Sequence, residues 1–147
     1  MQTQTPTVEP QPWDLTIPWN KGDADSQELL LGREWLVTNG TGGYASGTLC
    51  GVVTRRYHGF LVAALPAPLG RIVMLTQVSE ELRIPGGRVV RLAGQEYPGD
   101  PLNLDWVDTL AEFRLESGLP VWRYEISDFV LEKRIVLPYR QNTVYLT

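Results

Sequence analysis

The sequence predicts an all-β protein, an antiparallel β-sandwich with little helix. Three observations predict it. Apolar residues fall in short runs of strand length, several of them alternating with period two. Glycine and proline punctuate the chain between those runs, the pattern of frequent turns. No window sustains the 3.6-residue spacing of an amphipathic helix.

Taken in order, residues 1–28 read as a flexible tail rich in Pro, Thr and Gln. Pro6, Pro10, Pro12 and Pro18 forbid a regular helix or a central strand there. Trp13, Ile17 and Trp19 are apolar enough to pin part of that tail to the domain. Residues 29–147 read as one β-sandwich domain. "REWLV" and "GFLVAAL" are apolar runs of strand length, the second closed by proline. "ELRIPGGRVVRL" is two alternating runs joined at Pro85-Gly86-Gly87, a hairpin whose glycines accept positive φ. "LDWVDTLAEFRLE" has some helical spacing, but its second half alternates like a strand. "VWRYEI" sets Trp122, Tyr124 and Ile126 against Val121, Arg123 and Glu125. "DFVLEKRIVLP" puts Phe129, Leu131, Ile135 and Leu137 on one face, with Lys133 interrupting, and "NTVYLT" begins another strand.

Composition excludes several function classes. At 147 residues the chain is one domain with enough length for a core. A net charge of -4 lacks the basic footprint of a nucleic-acid binder. The single cysteine, Cys50, has no disulfide partner, and one histidine cannot build a His-rich metal centre, so neither a metal nor a cofactor is expected. The first residues have neither the basic start nor the apolar run of a secretory signal, and no stretch is long and apolar enough for a membrane helix. The expected setting is the cytoplasm.

The densest signal is Asn39 to Gly59, "NGTGGYASGTLCGVVTRRYHG". Gly40, Gly42 and Ala45 fit G-x-G-x-x-A, but a dinucleotide loop needs a following helix and a later acid for the ribose, and neither is present. Gly43, Gly47 and Gly51 recur every four residues, yet there is no apolar span for a membrane helix contact. The third reading is a strand with a flat face. Gly42, Gly43, Gly47 and Gly51 are then positions of close approach, either by packing inside the domain or by a second domain. In "TRRYHG", an extended backbone sends Arg55 and Tyr57 one way and Arg56 and His58 the other. Guanidinium forks beside an aromatic ring suit anionic or hydroxyl-rich ligands. The alternative is a solvated edge, with Arg55 and Arg56 pairing with acids such as Glu34 or Glu80 to hold strands together, and His58 as a structural residue.

"REWLVTNGTGGYASGTLCGVVTRRYHGFLVAAL" resembles the opening block of bacterial and archaeal type glycogen debranching enzymes, the amylo-α-1,6-glucosidase family. "SEEL", "EFRLESGLPVWRYEI" and "LEKRIVLPYRQNTVYLT" fit as well, so the resemblance runs from about Gly32 to Thr147. It implies a supersandwich-like N-terminal domain of a glycoside hydrolase. A catalytic barrel of paired helices would follow it outside this chain and hydrolyse α-1,6 branch points of glycogen. Such chemistry needs two carboxylates roughly 5 to 9.5 Å apart. No acid pair stands out here, so no catalytic residue is assigned. Asn39, Arg55, Arg56, Tyr57 and His58 become candidates for contact with substrate or with the catalytic domain. The implied partners are that domain and the α-glucan, with self-association of the fragment through an apolar patch. The rival is a stand-alone carbohydrate-binding module, which would need an exposed row of rings drawn from Tyr97, Trp106, Trp122 and Tyr124.

Overall fold

The computed structural model describes residues 14–17, 24–92 and 105–147. Trp13, Trp19, Tyr97 and the side chain of Trp106 lie outside that description. The described chain is dominated by antiparallel strands. A five-stranded sheet is formed by β1 (Leu15–Ile17), β8 (Leu110–Glu116), β9 (Leu119–Ile126), β10 (Phe129–Val136) and β11 (Tyr145–Leu146), adjacent in that order. A four-stranded meander is formed by β2 (Glu34–Thr38), β3 (Tyr44–Thr48), β4 (Gly59–Ala64) and β5 (Arg71–Leu75). The hairpin β6 (Glu81–Arg83) and β7 (Val89–Arg91) is a small third sheet.

Period-two alternation places the core between the two large sheets. Trp35 and Val37 of β2, Ala45 of β3 and Phe60 of β4 are buried from one side. Phe113 of β8, Trp122, Tyr124 and Ile126 of β9 and Ile135 of β10 are buried from the other. The indole of Trp35 meets that of Trp122 edge-on at 5.4 Å and 87°, and Phe113 meets Trp122 at 5.2 Å and 68°. Tilted and edge-on ring pairs of this kind add to the gain from burial. Each indole N–H is satisfied: Trp122 Nε1 donates to the Leu49 carbonyl at 2.7 Å and Trp35 Nε1 to the Thr48 carbonyl at 3.1 Å. The first bond ties the two sheets together.

The stretch read as tail contains two ordered pieces. Leu15–Ile17 pairs with β8, and Ile17 packs against the core. A helix, α1, spans Ala24–Gly32. The sequence shows no helical period there because Leu29, Leu30 and Leu31 are consecutive. Only Leu30 is fully buried; its neighbours are partly exposed. A five-residue 3-10 helix, Asp105–Thr109, precedes β8, so the ambiguous "LDWVDTLAEFRLE" is a helical turn followed by a strand. Lys133, the interruption in β10, stays on the buried face. Its Nζ lies 2.6 Å from Glu80 Oε1 and over the rings of Phe60 and Trp122 at 5.2 and 5.8 Å. A carboxylate and two ring faces together replace the water that a buried ammonium loses.

Candidate functional site

Asn39 is 1% exposed and directly follows β2. Its Oδ1 accepts from the amides of Thr41 and Gly43 at 3.0 and 2.9 Å and from Thr41 Oγ1 at 3.1 Å. Its Nδ2 donates to the Gln141 carbonyl at 2.9 Å and to Asn142 Oδ1 at 3.3 Å. One side chain therefore shapes the β2–β3 turn and also grips the segment before β11. Asn142 continues the grip. Its Nδ2 donates to the Ala64 carbonyl at 2.8 Å and its Oδ1 accepts from the Ala64 amide at 3.1 Å, so an amide side chain pairs with β4 as a strand would. The sequence reading missed Asn142, which has no local signal. Its role exists only because two chain segments far apart in sequence meet.

The glycines divide into separate cases. A Cβ on Gly43 would lie 2.5 Å from Asn39 Nδ2 and 3.0 Å from Asn142 Oδ1, so this glycine makes room for the amide cluster. A Cβ on Gly47 would lie 3.3 Å from the indole of Trp35, its cross-strand partner. Both approaches come from side chains of this domain. At Gly42 a Cβ would meet Ala64 and Arg71 only at ordinary contact, and at Gly51 it would meet nothing within 4 Å. Gly51 serves a turn instead, at φ 73°.

The Arg55–His58 segment is a turn and not an extended strand. The His58 amide donates to the Arg55 carbonyl at 3.1 Å. The turn sends Arg55, Arg56 and Tyr57 outward and His58 inward. The Tyr57 carbonyl accepts from Tyr44 Oη at 3.3 Å and Ser46 Oγ at 3.2 Å, which lays the turn against β3. The glycine-rich strand and the arginine turn are thus neighbours. Arg55 forms an ion pair with Glu34 of β2. Arg56 has no acid partner among the described residues, and the Tyr57 ring is 67% exposed.

His58 is 3% exposed. Its Nδ1 accepts from the Thr54 amide at 3.2 Å, which leaves the proton on Nε2. That nitrogen stands 3.5 Å from Glu34 Oε1 without forming a good hydrogen bond. Burial holds the imidazole below its ordinary value of 6.5, against the upward pull of Glu34 and with a smaller push down from Arg55. His58 is therefore a neutral, inward-facing group at neutral pH. It is poorly placed to reach a ligand.

The acids on the outer face of the five-stranded sheet are engaged with arginines. Arg114 contacts Glu112, Glu116 and Glu132 at 3.1, 2.6 and 2.7 Å. Arg134 pairs with Glu116 and lies 2.9 Å from Glu132. Hydrogen bonding from Arg134 holds the Glu116 carboxyl below its ordinary value. Glu132 is also lowered, its arginine contacts outweighing a burial effect of opposite sign. Of the four rings a sugar-binding face would draw on, Trp122 and Tyr124 are buried in the core. Among the described residues, a cavity lined by Trp35, Phe60, Trp122 and Lys133 is about 10 Å³, roughly the space of one water and far below a sugar ring.

No curated protein and no solved structure matches the chain. Residues 33–147 match the family model described as glycogen debranching enzyme N terminal. That span starts beside β2 and takes in the four-stranded sheet, all of the five-stranded sheet but β1, the Asn39 grip and the arginine turn, and by it the chain belongs to the glycogen debranching enzyme N-terminal family.

Proposed function

We propose that this domain is a non-catalytic brace for the catalytic part of a glycogen debranching enzyme, whose substrate is the α-1,6 branch point of an α-glucan. The observation that carries the reading is the family match over residues 33–147. The state of the acids supports the non-catalytic half. A glycosidase general acid needs a raised pKa. Glu116 and Glu132 are shifted the other way by their arginines. Within the arginine turn, Arg56 and Tyr57 are the members free to face a partner, offering a donor fork and a ring platform to acids or glucose hydroxyls at the junction. His58 and Asn39 would contribute by holding the scaffold.

The experiment compares the parent enzyme, the parent lacking residues 1–147, and the isolated domain, on a branched limit dextrin. The expected result is no glucose release and no co-sedimentation with glycogen by the isolated domain, and loss of stability or activity on deletion. Glucose release by the isolated domain would overturn the non-catalytic reading. Co-sedimentation would favour the binding-module reading. In the parent, Arg56→Ala should fold and lose activity several-fold, whereas His58→Ala should mainly lower stability. Normal activity in the Arg56 variant would remove the junction role from this turn.

A further inference from the structure

The turn Pro138–Gln141 precedes β11, and its amide–carbonyl bond closes at 3.2 Å. Arg140 lies in it at φ 61°, a left-handed conformation that costs a non-glycine residue energy. The strain is held by Asn39. The Arg140 amide donates to the Asn39 carbonyl at 2.7 Å, and Asn39 Nδ2 holds the Gln141 carbonyl. Inside the domain this fixes nothing of the two side chains it displays. The Tyr139 ring is 75% exposed and lies across Gly40, where a Cβ would be 2.4 Å from its edge. Arg140 is exposed, and among the described residues no acid pairs with it. Arg71 flanks the same β2–β3 turn, donating through Nε to the Gly42 carbonyl at 2.8 Å, also without an acid.

From this juxtaposition we infer that Tyr139 and Arg140, with Arg71 beside them, form a pre-set docking surface for a carboxylate-bearing protein surface in the remainder of the enzyme. The inference rests on the bracing role proposed above and adds a second contact to the one proposed for Arg56 and Tyr57. Charge decides the kind of partner. The chain carries a net charge of -4, and the outer face of the five-stranded sheet neutralises itself. Here Arg140, tied through its amide to Asn39, and Arg71, tied through its Nε to Gly42, border one turn, and among the described residues neither has an acid, so the complementary surface is acidic. Tyrosine and arginine are also the side chains that anchor interfaces most often. A turn already fixed by Asn39 and Asn142 loses little entropy on docking.

The test is photo-cross-linking in the full parent enzyme, with p-benzoylphenylalanine replacing Tyr139. The expected product links position 139 to an acidic peptide beyond residue 147 of the same chain. Arg140→Glu should reduce its yield at least about fivefold and Arg140→Gln less, with both unfolding midpoints unchanged. Added salt should weaken it through screening. A link confined to residues 1–147, a link to a second copy, or no link in a folded enzyme would each overturn the inference. If deleting residues 1–147 still disables the parent in that event, the bracing role stands and only this face is wrong.

Discussion

Asn39 makes more hydrogen bonds than any strand-end residue needs, and their loss sets the largest residue-scale prediction. Asn39→Ala leaves the amides of Thr41 and Gly43 and the Gln141 carbonyl without their partner. At about 1–3 kcal/mol for a buried group left unsatisfied, the combined cost should be on the order of 3 kcal/mol, read from urea unfolding. Two glycine variants separate strain from space. Gly43→Ala drives a Cβ into the amide cluster and should cost about 2–3 kcal/mol. Gly40→Ala, at φ 76°, should cost about 1–2 kcal/mol, because the Tyr139 ring it strikes is exposed and can swing away. Equal losses at the two sites would contradict this account. His58 gives a pH dependence. Its folded pKa is lowered from 6.5, so the unfolded state binds the proton more readily. Its contribution is complete above pH 6.5 and is lost as pH falls from there through the folded value. His58→Gln should flatten the stability slope on the acid side of pH 6.5, and an unchanged slope would show that the imidazole is not desolvated.

The arginine turn and the charged sheet face differ in what their elements do with charge. In the turn, one arginine is paired and the next is left to solvent. Across β8 and β10, Arg114 and Arg134 alternate with Glu112, Glu116 and Glu132 so that each charge meets its opposite. These pairs are about a third exposed on the acid side, so each contributes at most about 1 kcal/mol. Glu116 has a lowered folded pKa. Its contribution is therefore present above the ordinary carboxylate value of 4.5 and is lost as pH falls through the folded one. Glu116→Gln should cost about 0.5–1 kcal/mol near neutral pH and nothing measurable once the carboxylates are protonated, as seen in thermal unfolding at both pH values. The hairpin β6–β7 is the element most legible in the sequence. Gly86 and Gly87 take φ of 94° and 87°, as Pro85-Gly86-Gly87 led one to expect. The arginine turn was not legible as a turn, because "TRRYHG" has no turn-forming glycine or proline before Gly59, and the Tyr44 and Ser46 hydroxyls that hold its Tyr57 carbonyl come from another strand.

At the scale of the molecule, stability lies in the joint between the two sheets. Trp122 sits at that joint, touching Trp35 and Phe113 and donating to the Leu49 carbonyl. Trp122→Ala should cost about 3–5 kcal/mol, a large share of the roughly 5–15 kcal/mol that holds a domain folded. Trimming the chain before Ala24 removes from the described structure the three-residue edge strand β1, whose side chains are partly exposed, and Asp14, which accepts from the Ser117 amide. It should lower the unfolding midpoint by a few degrees and leave the rest of the fold intact, whereas losing Leu30 with α1 should not be tolerated.

The sequence by itself determined the all-β class, the alternation of buried Trp122, Tyr124 and Ile126 with Arg123 and Glu125 in β9, the hairpin and the family, while Phe129, read onto the apolar face of β10, is exposed. Each is written in local periodicity, turn chemistry or a contiguous block. Which glycines are approached, and by what, was decided only by tertiary structure, as was the inward position of His58. So too were the burial of Lys133 beside Glu80 and the exposed Tyr139–Arg140 turn. These depend on groups far apart in the chain, and spacing along one strand says which residues share a face but not what lies across from them.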